Sequence, residues 1–253
     1  MRPRFYLPGL DEGGSGTLTG DEAAHLTRVL RLGVGDDIDV FDGAGRMFHA
    51  RVEDVAGGHV RVRAVGPAPS APEAALRVTL VMAVLKGDKM DDVVRDATMM
   101  GVVALQPIVT ARSEVRLAAL ARAHRMERWK RIAISSAKQC GRATVPDVRP
   151  PVELRTWIVE SADRTDGGRS RPESDAVIVL QEPSLGVTAA LGDVPRAPGV
   201  QLAVGPEGGW AEDERAAFEA ARFRAVSLGG RTLRADVAPV VAMAALFEAW
   251  QGW

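Results

Sequence analysis

Apolar and polar residues alternate differently in two regions of the chain. In residues 1–70, short apolar runs are broken by glycine, and His59 to Val65 alternates apolar with polar or basic residues at a period of two. This alternation is typical of a half-buried strand, and Gly57-Gly58 marks a hairpin turn. One helix is predicted from about Asp21 to Leu30. Short strands joined by tight turns favour a small β-barrel for this region.

From Leu76 onward, strand patterns alternate with helix patterns, which is typical of an α/β fold. The segment Pro67 to Pro72 is rich in proline and separates the two patterns, so we expect domains at residues 1–70 and 74–253. Residues 161–175 are polar and lack periodicity, which predicts a mobile loop or an insertion. The predicted strands of the second region include Leu76–Leu85, Val102–Val109 and Ala176–Leu180, and its predicted helices are Met90–Met100, Arg125–Gln139, 185–191 and Ala235–Trp250.

Two glycine-rich loops follow predicted strands near the C-terminal end. One is Gly205-Pro206-Glu207-Gly208-Gly209, and the other is Gly229-Gly230, which follows Ala225 to Leu228 and precedes Arg231 and Arg234. Glycine allows backbone angles closed to other residues and lets a ligand approach the main chain. Two such loops at the ends of neighbouring strands indicate a small-molecule site in an α/β sheet. Two ordinary strand-to-helix turns are the alternative.

Composition limits the kinds of site and location. The chain has 253 residues, a net charge of −1 and one cysteine, Cys140, which excludes an intramolecular disulfide and a cysteine-built zinc site. The four histidines lack metal-ligand spacing, so no metal is expected. No apolar run reaches the roughly 18 residues of a membrane helix. The N-terminus also lacks the apolar core of a signal peptide, and we therefore expect a cytoplasmic protein.

Three common motifs are absent from the sequence. There is no G-x-x-x-x-G-K-[ST] phosphate loop, no G-x-S-x-G nucleophile elbow, and no G-x-G-x-x-G after the first strand of the second region. These absences disfavour an NTPase, a hydrolase built on a nucleophile elbow, and a dinucleotide-binding enzyme.

Positive charge is concentrated in two places. Residues 112–149 contain ten Lys or Arg against three Asp or Glu, around a predicted helix that ends at Gly141. A basic stretch in a chain of near-neutral charge is the electrostatic footprint of a nucleic-acid face, although a solvated helix face is the alternative. The predicted barrel carries further arginines that face either a phosphate backbone or solvent: Arg2, Arg4, Arg28, Arg31, Arg61 and Arg63.

Together with the rest of the chain, the glycine loops resemble a known family. Gly205-Pro206-Glu207-Gly208-Gly209, followed by Ser227-Leu228-Gly229-x-Arg231-x-Leu233-Arg234, is similar to the bacterial 16S ribosomal RNA uridine N3-methyltransferases, RsmE, of the SPOUT class. Further matching motifs occur in the family's order: Arg4-Phe5-Tyr6, His25-Leu26-x-Arg28-Val29-Leu30-Arg31, Phe41-Asp42-Gly43, Lys86-Gly87-Asp88-Lys89-Met90, Arg112-Ser113 and Gln139-x-Gly141-Arg142.

This resemblance implies a fold, a reaction and partners. The implied α/β fold is a SPOUT trefoil-knotted domain preceded by a small PUA-like β-barrel that binds RNA. The implied cofactor is S-adenosyl-L-methionine, bound in the knot of a homodimer. The implied substrate is N3 of a specific uridine in 16S ribosomal RNA of the small ribosomal subunit.

The resemblance also gives expected roles to residues. Arg234 is the first candidate for stabilising the anionic uracil and Arg4 is the second, while Glu207 or Asp236 accepts the proton or orients Arg234. The expected cofactor-binding residues are Leu202, Val204, Gly205, Glu207, Gly208, Gly209, Leu228, Gly229, Arg231, Leu233 and Ala238. The expected RNA-binding residues are Arg4, His25, Arg28, Arg31, Lys86, Lys89, Arg112, Lys138 and Arg142.

The chain departs from the family pattern at a few positions. Ser135 and Lys138 stand where the family usually has acidic residues. The final motif, usually Arg-x-Glu-Thr-Ala, reads Arg234-Ala235-Asp236-Val237-Ala238. Two alternatives therefore stay open: a SPOUT-fold RNA-binding protein with altered catalysis, and a SPOUT methyltransferase that acts on a different RNA site.

Overall fold

A computed structural model describes residues 2–122, 124–166, 175–183, 186 and 189–252. The chain divides into two compact units. The N-terminal unit comprises Met1–Glu73 and Ile134–Val145, and the C-terminal unit comprises Ala74–Ala133 and Pro146–Trp253. Of the helices in the described part of the chain, none is long and apolar enough to span a membrane.

The N-terminal unit is built on a five-stranded sheet. Its strands are β1 (Arg4–Tyr6), β2 (Ser15–Leu18), β3 (Asp37–Phe41), β4 (Met47–Ala56) and β5 (His59–Pro67), paired in the order β1-β3-β4-β5-β2. The apolar residues of β5, Val60, Val62 and Ala64, are at most 2% exposed while the residues between them face solvent, as the period of two predicts. They pack in one apolar core with Phe5 and Leu26.

The predicted helix of this unit is present at Gly20–Val29, but its second half is irregular. Helix α1 (Gly20–Ala24) continues into a π-helical turn (His25–Val29), in which the Leu30 N–H reaches the His25 carbonyl oxygen at 3.0 Å. Wide turns of this kind are rare and occur frequently at functional sites. Arg28 and Val29 are exposed here.

The C-terminal unit contains a parallel sheet with helices between its strands. The strands are β6 (Arg77–Ala83), β7 (Ala104–Val109), β8 (Asp147–Val148), β9 (Val152–Glu153), β10 (Ala176–Leu180), β11 (Gly199–Val204) and β12 (Arg224–Val226). They pair in the order β12-β10-β11-β6-β7-β8, with β9 also on β7, and every pairing among these strands is parallel. All six residues of β11 are buried, as expected for a central strand covered on both faces.

The helices after α1 are α2 (Lys89–Met99), α3 (Leu117–Arg122), α4 (Arg125–Cys140), α5 (Leu154–Asp166), α6 (Glu212–Ala220) and α7 (Ala238–Trp250). α7 begins three residues later than predicted because Arg234 to Val237 form a turn, in which the Arg234 carbonyl accepts hydrogen bonds from the N–H groups of Val237 and Ala238. Pro239 then occupies the first turn, where its missing N–H has no consequence.

The polar segment 161–175 is only partly a loop. Residues 161–166 continue α5, and the buried Ser161 hydroxyl donates to Gln201 Oε1 at 3.2 Å. Asp175 precedes β10 and lies 3.4 Å from the Arg77 guanidinium. Residues 167–174 lie outside the described residues, as do residues 185, 187 and 188 of the segment 185–191, for which a helix was predicted; Leu191 begins a short 3₁₀ turn to Asp193.

The prediction that the two glycine loops follow neighbouring strands is wrong. β10 lies between β11 and β12: Ile178 pairs with Leu202 on one side and with Arg224 on the other. Crossover connections through helices let strands that are consecutive in sequence be separated in a parallel sheet. The segment after β10 therefore ends at the same edge as the two glycine loops.

Candidate functional site

A cavity of about 390 Å³ lies at the carboxyl ends of the parallel strands in the C-terminal unit. This edge is where open α/β sheets bind ligands. The segments after five strands contribute to its lining: Lys89 follows β6, Arg112 follows β7, Gln181 and Glu182 follow β10, most of Gly205 to Trp210 follows β11, and most of Leu228 to Ala238 follows β12. A cavity of this size accommodates a small-molecule ligand.

The first glycine loop is held against a buried aromatic ring. Trp210 is 3% exposed, and its indole N–H donates to the carbonyl of Leu180 at the end of β10, with a distance of 2.8 Å. A Cβ atom at Gly205 would lie 3.1 Å from this ring, so the position favours glycine. Gly209 has a φ of +67°, and a Cβ there would lie 2.8 Å from Glu182 Oε1.

Two ion pairs line the cavity. Lys89 Nζ donates to Glu207 Oε1 at 2.8 Å, and both side chains are about two-fifths exposed, at 41% each. Arg234 donates to both carboxylate oxygens of Asp236. The cavity thus combines opposite charges with exposed main chain of a glycine loop.

Both carboxylates are stabilised in their charged form. Burial alone raises the pKa of Glu207, but hydrogen bonds from Lys89 and from its own backbone N–H hold that pKa below its ordinary value. Burial likewise raises the pKa of Asp236. Hydrogen bonds from Arg234 and from the backbone N–H of Asp236 nevertheless hold that pKa below its ordinary value. Glu207 and Asp236 are therefore anionic at neutral pH.

Most of the residues expected to bind a cofactor meet in this cavity. The residues that line it are Val204, Gly205, Glu207, Gly209, Leu228, Arg231, Leu233 and Ala238. Leu202 is buried within β11, and Gly208 and Gly229 belong to the same two loops without lining the cavity. Of the expected catalytic residues, Arg234, Glu207 and Asp236 also line the cavity.

The sequence analysis did not predict several residues that line the cavity: Leu180, Gln181, Glu182, Pro183, Pro206, Trp210, Arg215, Thr232 and Ala235. The residues after β10 escaped notice because Ala176 to Leu180 leads into no glycine motif. The signal available was the strand itself, since every buried parallel strand delivers its next residues to this edge.

The expected RNA-binding residues of the C-terminal unit lie near this cavity. Lys89 and Arg112 line it, and Arg112 Nη1 donates to the Gly208 carbonyl at 2.6 Å. Lys86 is exposed and pairs with Glu114 at 2.7 Å, a contact that raises the pKa of Lys86 through a hydrogen bond.

The expected RNA-binding residues of the N-terminal unit differ in exposure. Arg28 and Arg31 are exposed, and His25 contacts the Phe5 ring edge-on, with ring centroids 5.9 Å apart. By contrast, Arg142 is 3% exposed and binds Glu73 through both Nε and Nη2.

Arg4 and Lys138 are also engaged inside the N-terminal unit. Lys138 Nζ binds both oxygens of Glu22 at 2.8 and 2.9 Å. Arg4 Nη1 donates to the Lys138 carbonyl at 3.3 Å and lies 2.9 Å from where a Cβ of Gly141 would be. Arg4 Nε is buried without a hydrogen-bond partner. Gly141, at a φ of +87°, leaves room for this guanidinium.

Comparison with known families matches both parts of the chain. A family described as RNA methyltransferase domain matches residues 72–247, and one described as RNA methyltransferase PUA domain matches residues 18–65. The ribosomal RNA small subunit methyltransferase E of Synechocystis sp. is 34% identical over 231 residues, which are 90% of this chain and 71% of the relative.

Solved structures show the same similarity in three dimensions. A ribosomal RNA small subunit methyltransferase E from Neisseria gonorrhoeae, bound to S-adenosyl methionine, superposes with a TM-score of 0.85 at 33% identity and covers 99% of this chain and 98% of that one. A methyltransferase from Legionella pneumophila in complex with the same cofactor has a TM-score of 0.85 at 29% identity, covering 98% of each chain. The predicted fold class, a SPOUT α/β domain preceded by a PUA-like domain, is confirmed.

Proposed function

Because the chain belongs to the ribosomal RNA small subunit methyltransferase E family, we propose that it methylates N3 of a specific uridine in 16S ribosomal RNA. The methyl group comes from S-adenosylmethionine. The observation that carries this proposal is the cavity at the carboxyl ends of β10, β11 and β12, which joins both glycine loops to the Arg234–Asp236 pair.

The residues of the cavity fit the cofactor. Gly205 and Gly209 carry no side chain, so Trp210 and Glu182 pack directly against the loop main chain, and all four residues line the cavity. The carboxylates of Glu207 and Asp236 complement a ligand that carries a sulfonium and an ammonium group. We assign cofactor contacts to the lining residues Val204, Gly205, Glu207, Gly209, Leu228, Arg231, Leu233 and Ala238. Leu202, Gly208 and Gly229 support the strand and the two loops that carry these contacts.

Methylation of uracil N3 requires stabilisation of the negative charge that develops on the base. The uracil imide nitrogen carries a proton at neutral pH. Methyl transfer would break the bond between the sulfonium sulfur and the methyl carbon, form the bond from N3 to that carbon, and release the imide proton to solvent water. Arg234 is permanently charged and 71% exposed, so its guanidinium is available to a uracil oxygen on which negative charge develops. Arg234 is therefore the residue we assign to transition-state stabilisation.

We assign the carboxylates of Glu207 and Asp236 to roles other than abstracting the proton. A general base is most effective when its pKa lies near the working pH, whereas the pKa values of Glu207 and Asp236 are held below their ordinary values. We therefore assign Asp236 to orienting Arg234, and Glu207 to the cofactor. Arg4 stays the second candidate for contacting the uracil, together with its expected role in RNA binding.

RNA binding by the N-terminal unit is part of the proposal. Arg28 lies in the π-helical turn and Arg31 follows it; both are exposed and suited to phosphate contacts. Arg142 instead supports packing, because its guanidinium is buried on Glu73. We expect the enzyme to act in the cytoplasm as a homodimer; Val237 and Val241 of α7 are 42% and 39% exposed and supply apolar surface for a second copy.

A reconstitution experiment tests the function. The purified protein is incubated with labelled S-adenosylmethionine and either free 16S ribosomal RNA or small subunits from a strain that lacks this methyl group, and the product is mapped by mass spectrometry. One methyl on a uridine base supports the proposal. A methyl elsewhere supports a different RNA site, and RNA binding without any cofactor binding supports the binding-protein alternative.

A further inference from the structure

A four-residue turn after β7 is fixed by its own side chains. The Thr110 N–H donates to Ser113 Oγ at 3.2 Å, the two hydroxyls lie 2.9 Å apart, and the Ser113 N–H donates to the Thr110 carbonyl at 3.1 Å. Hydroxyl side chains that bond to nearby main chain stabilise such turns. The backbone of Ala111 and Arg112 is consequently presented in one arrangement.

A buried carboxylate ties this turn to the segment after the first glycine loop. Glu214 of α6 is 7% exposed and accepts the Ala111 N–H at 2.7 Å through Oε1 and the Ala211 N–H at 2.8 Å through Oε2. A buried carboxylate is tolerated when it receives hydrogen bonds of this kind, and these bonds are stronger than neutral ones. Glu214 therefore joins two segments that are distant in sequence.

Arg112 connects the same turn to the loop itself. Its Nη1 donates to the Gly208 carbonyl at 2.6 Å, and its Cβ and Cδ lie 3.4 and 3.5 Å from the position of a Cβ on Gly208. Gly208 itself does not line the cavity, but its neighbours Glu207 and Gly209 do. A shift of Gly208 would move both lining residues.

We propose that Arg112 and Glu214 are positioning residues that hold the loop from Gly205 to Gly209 in the geometry that binds the cofactor. This inference rests on the proposed function and gives Arg112 a role in cofactor affinity instead of the RNA contact expected from the family resemblance. Glu214 does not contact the loop from Gly205 to Gly209 through Arg112 directly. It acts through the turn, because it binds the Ala111 N–H and so fixes the turn from which Arg112 extends.

The first test compares Arg112→Ala with Arg116→Ala, which removes the same charge from an exposed position four residues away. Calorimetry with S-adenosylmethionine gives the Kd, and steady-state kinetics give KM for RNA. We expect R112A to weaken cofactor binding about tenfold or more, the range for a hydrogen bond to a charged group, with KM for RNA within about twofold. Unchanged cofactor Kd with a raised KM for RNA overturns the proposal.

The second test compares Glu214→Gln with Glu212→Gln, an exposed residue in the same first turn of α6. In E214Q, one of the two backbone N–H groups faces an amide NH₂ instead of an acceptor, so cofactor affinity falls; E212Q leaves it unchanged. Equal affinities in the two variants contradict the role of Glu214. If E214Q does not fold, R112A decides alone.

Hydrogen exchange of the free protein separates this inference from the proposed function. We expect R112A, and not R116A, to increase amide exchange across Gly205 to Trp210 in the absence of any ligand. Unaltered exchange in R112A overturns the positioning role. Failure of the wild-type protein to bind S-adenosylmethionine overturns the proposed function, while the exchange result stands by itself.

Discussion

Arg234 and Asp236 are joined by two parallel hydrogen bonds, from Nε to Oδ1 at 3.0 Å and from Nη2 to Oδ2 at 2.7 Å. The aspartate side chain is 16% exposed and the arginine side chain is 71% exposed. A fork of this kind fixes the plane of the guanidinium as well as its position. The less exposed acid thus orients an arginine that stays accessible to a substrate.

The assignment of Arg234 predicts a selective loss of catalysis in Arg234→Ala. We expect the rate of methyl transfer to fall by roughly 100- to 1,000-fold, as when one donor to a developing anion is removed, with little change in cofactor Kd. Single-turnover methylation and calorimetry measure the two effects separately. Unchanged turnover removes Arg234 from the chemistry.

Asp236→Asn tests orientation apart from charge stabilisation. The asparagine keeps the size of the side chain but only one acceptor oxygen, so we expect a smaller loss of rate, about tenfold. In the Arg234→Ala background the same change should have almost no further effect, because residues that act through one another are not additive. Full additivity in this double-mutant cycle argues against an orienting role.

A glycine-to-alanine substitution should be harmful at Gly209 in the first loop and harmless at Gly230 in the second. Gly209→Ala places a Cβ 2.8 Å from Glu182 Oε1 at a φ of +67°, whereas a Cβ at Gly230 meets nothing within 4 Å. We expect G209A to weaken S-adenosylmethionine binding by at least about tenfold, since strain at such a φ displaces the loop. Gly230→Ala serves as the matched control, and comparable Kd values for the two variants rule out this explanation.

The sequence predicts the parts of this site that have local signatures. Glycine followed by proline or acidic residues marks the loop at Gly205, and the period of two in β5 marks a half-buried strand. These features depend on neighbouring residues in the sequence. Gly205, Leu228 and Arg234 line one cavity, and their roles in binding and catalysis stay predictions.

Features that depend on the order of strands in the sheet could not be predicted from the sequence. β10 lies between the strands of the two loops and brings Gln181 and Glu182 to the cavity, which only the crossover pattern determines. Glu214 reads as one of three acids in a first helical turn, typical of a helix N-terminus, yet it alone is buried on two main-chain donors. The donor at Ala211 is only three residues before Glu214, but the donor at Ala111 is 103 residues away and leaves no local pattern.

Stability of the N-terminal unit should depend on Asp42. Its side chain is 2% exposed and accepts the N–H groups of Ala44 at 2.8 Å and Arg46 at 3.0 Å, besides Arg46 Nε at 2.7 Å. Asp42→Ala leaves these donors unpaired, so we expect a loss of roughly 1–3 kcal/mol in the free energy of unfolding. Asp11→Ala removes an exposed partner of the same arginine and should cost little.

The pH dependence of this contribution has a definite sign. Burial raises the pKa of Asp42, but hydrogen bonds from Arg46 and from the Ala44 and Arg46 N–H groups hold it below its ordinary value. The stabilisation is therefore complete above the unfolded-state pKa of about 4 and is lost as pH falls through the lower folded-state pKa. Urea unfolding of wild type and D42A at pH 7 and near pH 3 should give a smaller difference at the lower pH; a constant difference would refute this linkage.

Glu207 is expected to serve the cofactor without acting as the base. Because its pKa is lowered, Glu207 stays ionised through the neutral range, and the ion pair with Lys89 at 2.8 Å persists there. Glu207→Gln should weaken S-adenosylmethionine binding several-fold through loss of one negative charge from the cavity, while the single-turnover rate at saturating cofactor stays within about twofold. Glu182→Gln removes another cavity carboxylate and controls for charge alone. If E207Q lowers the saturated single-turnover rate about 100-fold or more and E182Q does not, Glu207 takes the proton and the assignment made above is wrong.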